Sequence, residues 1–289
     1  MMSPMAKLTR RAILRMGSGA VAGAAGVWAL SAALDPLQPK ASPPHSPTPV
    51  EPIAGSASPT RLSGSFVSAA RGGILTNWVI VRPPGQYGAL RPVIALHGKT
   101  SNGNMALDIG VEDGLAQLVK AGREPFAVVG VDGGDTYWHR RASGQDSGAM
   151  VLHELLPMLA TMGLDTSRVG FMGWSMGGYG ALLLGARLGP ERTAGICAIS
   201  PALFTSFTGS TPGAFDSYDD YVQNTVFGLP TLASIPIRVD CGTSDRFYPA
   251  ARQFVAQLHT PPSGSFSPGG HDVTYWRHQL PAELAWMTS

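Results

Sequence analysis

The chain of 289 residues carries 21 lysines and arginines against 19 aspartates and glutamates, a formal charge of +2. Four of the bases, Lys7, Arg10, Arg11 and Arg15, precede every acid, so the remainder holds 17 bases against 19 acids and a charge of −2. That balance excludes the basic surface of a nucleic-acid binder, and no Cys/His spacing forms a metal site.

Behind the four bases, Met16 to Leu34 is an Ala/Gly/Val/Leu stretch without a charge, the pattern of an export leader. Thr9-Arg10-Arg11-Ala12-Ile13-Leu14-Arg15 is similar to the twin-arginine signal, a route used by proteins exported after folding. An N-terminal anchor is the rival reading, because the stretch is nearly long enough to span a membrane; its many glycines and alanines favour a leader. The expected location is therefore outside the cytoplasm, secreted or associated with the cell envelope through the N-terminus. Residues 35–60 are crowded with Pro, Ser and Ala and have no apolar period, which predicts a disordered, partly polyproline tether. Residues 61–289 then form one domain with a sizeable core.

Within that domain strand and helix signals alternate. Leu62 to Ala69 and Leu75 to Arg82 read as an antiparallel pair, and Pro92 to Leu96 as a strand buried on both faces. Met105 to Ala121 predicts a helix, Phe126 to Val131 a strand and Ala149 to Met162 a helix. Arg168 to Leu188 reads as strand, tight turn and helix. Gly195 to Ile199 and Ile235 to Cys241 are strands on either side of an irregular insertion, Leu203 to Ser234. A helix over Ala250 to Leu258, a weak strand at Ser265 to Ser267 and a helix over Tyr275 to Met287 close the chain. The alternation implies an α/β fold with a mostly parallel sheet and helices on both faces. Cys197 and Cys241 fall in neighbouring strands; two buried thiols are expected rather than a disulfide.

At the turn, Gly173-Trp174-Ser175-Met176-Gly177 matches the G-x-S-x-G nucleophile elbow. A serine held in such a corner needs glycines two residues before and after it, so that the backbones can pass. Its hydroxyl becomes a nucleophile only when an imidazole takes its proton, and that imidazole needs a carboxylate to orient it. Chain order in an elbow fold is serine, acid, histidine. Asp245, just past the Ile235 strand, and His271, in Pro-Gly-Gly-His-Asp-Val, satisfy that order. Asp240 lies inside the strand, and Asp272 is placed to cap the helix after it. His45 is in the tether, His153, His259 and His278 fall in helices, His139 sits in a polar loop, and His97 precedes the serine.

The oxyanion formed on an attacked carbonyl needs two backbone donors. Met176, the residue after the nucleophile, and Lys99, in the Gly98-containing loop after the Pro92 strand, are expected to supply their amides. The stretch Asp132 to Arg141 follows a strand end and is expected to line the cleft, with Asp132, Tyr137 and Trp138 as substrate contacts; the other reading is a surface loop held by Asp turns. The insertion occupies the position of a cap, and Phe204, Phe207, Phe215, Tyr218, Tyr221 and Phe227 either wall an acyl pocket or pack the insertion onto the sheet.

Leu96-His97-Gly98, Gly-Trp-Ser-Met-Gly-Gly, Cys-Gly-Thr-Ser-Asp and Gly270-His271-Asp272 with Tyr275-Trp276 and Leu280-Pro281 together resemble the putative esterase family of α/β-hydrolases, the family of esterase D and the antigen 85 mycolyltransferases. The resemblance covers most of residues 61–289. It implies an α/β-hydrolase fold, a triad of Ser175, Asp245 and His271, and an oxyanion hole at Met176 and the loop around Lys99. An export leader sets the chain apart from the cytosolic thioesterase, and Gly-Gly-Tyr after the serine sets it apart from antigen 85. The expected activity is an exported serine esterase, needing no cofactor and acting on a small-molecule or lipid ester. A cell-envelope acyltransferase, passing the acyl group to a sugar or lipid hydroxyl, is the alternative.

Overall fold

The computed structural model describes residues 60–288; the leader and all but the last residue of the tether lie outside them. Eight strands form one sheet: β1 (Arg61–Ser68), β2 (Ile74–Val81), β3 (Pro92–Leu96), β4 (Ala127–Val131), β5 (Val169–Trp174), β6 (Thr193–Ile199), β7 (Ile237–Gly242) and β8 (Phe266–Ser267). Their order across the sheet is β1-β2-β4-β3-β5-β6-β7-β8. β1 and β2 pair antiparallel, β2 meets β4 antiparallel, and every pairing from β4 to β8 is parallel. β3, β4 and β5 are buried along their whole length, which is why they read as unbroken apolar runs rather than alternating ones.

Helices cover both faces. On one face α1 (Met105–Ile109), α2 (Val111–Lys120) and α8 (Val273–Trp286) bury Ile109, Leu115 and Leu284 against Val93, Val128 and Cys197. The other holds α3 (Ser147–Ala149), α4 (Leu156–Thr161), α5 (Met176–Leu188) and α7 (Tyr248–Gln257), whose Leu159, Leu182 and Phe254 pack with Ile94, Phe171 and Ile196. The insertion after β6 contributes α6 (Tyr218–Asn224) and a 3-10 turn at Pro230–Ser234.

Two predicted helices differ in detail. Met105 to Ala121 is interrupted at Gly110, whose φ of 112° ends α1 and starts α2. Ile109 and Val111 flank the break and both are buried; an unbroken helix would aim residues two apart at different faces. The predicted Ala149 to Met162 helix starts earlier, at Ser147 behind the Asp146 cap, and widens to a π-helix over Met150–Leu155. Pro157 follows immediately, and lacking an amide it cannot bond four residues back. Cys197 and Cys241 are both free. The register pairs Cys197 with Arg238, so Cys241 lies three residues further along its strand, roughly 10 Å away and beyond disulfide reach.

Candidate active site

The nucleophile elbow stands at the carboxyl end of β5, in the middle of the sheet. Ser175 has φ 56° and ψ −117°, a conformation that costs about 1–3 kcal/mol and must be imposed by its surroundings. Its amide donates to the Ile199 carbonyl at 3.0 Å, and its own carbonyl accepts from Tyr179 at 3.1 Å and Ala202 at 2.9 Å. A methyl group on Gly177 would overlap the Leu96 carbonyl, and one on Gly173 would overlap the Gly177 carbonyl. Both glycines are therefore required by close backbone approach.

Asp245 follows β7, and His271 lies between β8 and α8. His271 Nδ1 lies 2.7 Å from Asp245 Oδ2 and Nε2 lies 2.9 Å from Ser175 Oγ. A carboxylate accepts only, so Nδ1 carries the proton and Nε2 is left to accept from the serine hydroxyl. The other oxygen of Asp245 accepts from the Phe247 amide at 2.9 Å. Burial pushes the Asp245 carboxyl up, but the hydrogen bonds from His271 and Phe247, with the imidazole's charge and the Ser200 hydroxyl, outweigh it and hold the group below the ordinary aspartate range. Phe247 and Trp276 meet the imidazole edge-on, with centroids 5.2 Å and 5.3 Å away.

The other acids have different work. Asp240 is fully buried and paired with Arg238, Oδ2 to Nε at 2.6 Å, while its Oδ1 accepts from the Ser265 amide. Asp272 caps α8, accepting from the amides of Thr274 and Tyr275.

Beside the elbow, the loop after β3 passes so close that a methyl on Gly98 would stand 3.6 Å from Ser175 Cβ. The Gly98 amide donates to Met105 Sδ at 3.1 Å and the Thr100 amide to Asp135 Oδ1 at 2.7 Å. The Lys99 amide between them has no partner among the described residues, and Met176 begins α5, where helix amides lack internal acceptors. His97 holds this loop in place, a role its position in the sequence did not signal. Its Nδ1 donates to the Gly98 carbonyl at 2.7 Å and its Nε2 accepts from the Gly133 amide at 2.9 Å. Burial lowers its pKa, in keeping with a neutral ring that uses one nitrogen as donor and the other as acceptor.

The three residues expected as substrate contacts are placed differently. Both carboxylate oxygens of Asp132 are engaged, by Asn77 Nδ2 at 2.9 Å and by the Gly103 amide at 2.7 Å. It borders a surface cavity with Ser65, Trp78 and Asn104, whose lining includes none of Ser175, His271 and Asp245. Trp138 is fully buried against Gly133 and Gly180 and edge-on to His97, so it fills the core under the loop instead of lining the cleft. The positive φ of Tyr137 and Trp138, 53° and 58°, turns the loop inward at this point. Of the three, Tyr137 alone reaches the insertion, its ring centroid within 6.5 Å of those of Phe204 and Phe215.

The insertion's aromatics differ in what they pack against. Phe204 packs at 5.7 Å from Phe247, next to His271, whereas Phe227 packs on Phe254 of α7 and Tyr218 is exposed.

Residues 78–287 match the family model described as "Putative esterase". The chain belongs to this family. The matched span includes Lys99, Ser175, Asp245 and His271, and membership makes the chain a serine carboxylic-ester hydrolase. No curated protein matches the sequence. Among solved structures, a ferulic acid esterase superposes with a TM-score of 0.68 at 19% identity, covering 79% of this chain and 97% of the other. An S-formylglutathione hydrolase from Staphylococcus aureus gives 0.66 at 17% identity, covering 79% and 98%. A fluorophosphonate-binding serine hydrolase from the same organism, with substrate bound, gives 0.62 at 18% identity, covering 79% and 98%. At these identities the likeness establishes the α/β-hydrolase fold.

Proposed function

We propose that the chain is an exported esterase working through an acyl-enzyme, with Ser175 as nucleophile, His271 as general base and then acid, and Asp245 as the group that orients the imidazole. The observation that carries the reading is the unbroken row from Ser175 Oγ through His271 to Asp245, with contacts of 2.9 Å and 2.7 Å. Ser175 Oγ attacks the ester carbonyl as its proton passes to His271 Nε2, and Asp245 stabilises the imidazolium. The amides of Met176 and Lys99 receive the oxyanion. Collapse breaks the bond to the alcohol oxygen, which takes the proton from Nε2, and water repeats the sequence to release the acid. Supporting the strained serine are three backbone hydrogen bonds, so the geometry exists before substrate arrives.

The N-terminal pair Arg10-Arg11 and the apolar stretch after it support export by the twin-arginine route, with envelope association through the N-terminus where the leader is retained. A fluorophosphonate probe is expected to label Ser175, and Ser175→Ala to lose both labelling and ester turnover. Labelling that persists in the alanine variant refutes the assignment. Product analysis with sugar and lipid hydroxyls present distinguishes hydrolysis from acyl transfer, since only a transferase would yield the new ester.

A further inference from the structure

On collapse of the tetrahedral adduct the departing alcohol oxygen must lie within reach of His271 Nε2. The alcohol portion of the substrate therefore extends past the two rings that flank that imidazole, Trp276 and Phe247. The Trp276 side is committed: its indole N–H donates to Ser200 Oγ at 3.1 Å, and the ring belongs to α8. On the other side, Phe247 also lines a cavity of about 350 Å³ shared with Phe204, Thr205, Thr211, Arg246 and Gln253 among others.

This cavity has an apolar floor and a charged rim. Phe204 and Phe247 meet at 83°, presenting a face and an edge to a flat group. Arg246 lies over the Phe247 ring, with Cζ 4.6 Å from the centroid, so one aromatic ring separates its guanidinium from the imidazole. The guanidinium has no hydrogen bond or ion pair among the described residues. The acids of this region have other partners. Arg141 is matched by Asp216, the buried Asp240 by Arg238, and Asp245 by His271. Asp220 faces His139, and Asp135 is bound to the Thr100 amide. A second cation, Lys99, reaches the same part of the insertion, its Nζ 3.5 Å from the Pro212 carbonyl.

We propose that this cavity is the subsite for the alcohol portion of the ester, and that it selects an alcohol with a flat apolar body ending in a carboxylate held by Arg246. The body lies on the floor formed by Phe204 and Phe247; the carboxylate takes the donors that Arg246 leaves unused, a pairing the planar guanidinium suits. The inference rests on Ser175 being the nucleophile, and its test is built to fail separately.

The test compares two acetyl esters, para-acetoxybenzoate and its methyl ester, in wild type, Arg246→Gln and Arg246→Glu. Comparing variants on each ester cancels the difference in intrinsic lability. Arg246→Gln is expected to lower kcat/KM for para-acetoxybenzoate by about two- to fivefold, the range of an exposed ion pair, while leaving the methyl ester nearly unchanged. Arg246→Glu lowers the anionic ester further, and added salt narrows the wild-type preference. An equal effect on both esters overturns the proposal. So does an equal Arg246 dependence with mono-para-nitrophenyl glutarate, which carries its carboxylate on the acyl side.

Calorimetric binding of para-hydroxybenzoate reads the subsite without turnover. Binding that depends on Arg246 in a protein that no fluorophosphonate labels at Ser175 would uphold the subsite and sink the catalytic reading. Labelling and turnover with no Arg246-dependent binding would do the reverse.

Discussion

Glu283 is the residue whose replacement most directly tests the energetics of this fold. It is fully buried in α8, and neither carboxylate oxygen has a partner among the described residues. Burial first, and then the charge of Asp240, push its pKa well above the ordinary glutamate range, with Arg238 opposing them. An acid whose folded pKa is raised loses its proton first in the unfolded chain. Stability is therefore full below the ordinary glutamate range and falls as pH climbs from there toward the folded-state value. The slope is about 1.4 kcal/mol per pH unit for as long as the folded carboxyl keeps its proton. The buried carboxyl without a partner costs a further ~1–3 kcal/mol at any pH. Glu283→Met keeps the length of the side chain and removes both costs. Urea unfolding followed by tryptophan fluorescence at about pH 5, 6 and 7 should show the variant more stable throughout, with its advantage growing along that slope. A pH-independent difference would mean that the carboxyl is charged and paired in the fold. A variant less stable at every pH would mean that Glu283 makes bonds which hold α8 to the sheet.

Asp245→Asn is expected to lower turnover by roughly a thousandfold or more in a folded protein, because the imidazole loses its orienting charge; steady-state kinetics with circular dichroism read this. Asp240→Asn should instead leave turnover of the folded protein close to wild type and cost a few kcal/mol of stability, because Arg238 loses its buried counter-charge; a reversal of the two phenotypes would place the acid on β7. Gly177→Ala should prevent soluble expression or abolish fluorophosphonate labelling, since the added methyl would displace the Leu96 carbonyl and with it the loop carrying Lys99; normal labelling would show that the elbow can open. Deleting residues 1–58 should leave turnover of a small soluble ester unchanged, whereas lysines at positions 10 and 11 should retain the full-length protein inside the cell, as read by fractionation and blotting.

The elbow was legible because its constraints are local. Two glycines at fixed spacing, an apolar run before them and a small-residue helix after them are all consequences of one strained corner at Ser175. That Asp245 and His271 meet Ser175 was legible because the fold sets their order and strand ends set their places. The loop from Asp132 to Arg141 was misread in part, since nothing in a polar loop sequence announces that two consecutive residues adopt positive φ and send Trp138 into the core. Likewise Gly110 reads as an ordinary helical glycine until the buried neighbours on either side of it are known to need the same face. His97 was set aside by chain order, which governs the proton-transfer histidine and says nothing of one that braces a loop.

The Ala202 amide is bonded to the carbonyl of Ser175 itself. The root of the insertion is thus fastened to a residue of strained backbone, and any movement of the insertion must pivot beyond that point. Amide exchange should mark the boundary: slow at Ala202, in step with the centre of the sheet, and faster over the exposed Thr205, Thr208 and Gly209. Exchange within the insertion is thus expected to proceed without disturbing the backbone of Ser175.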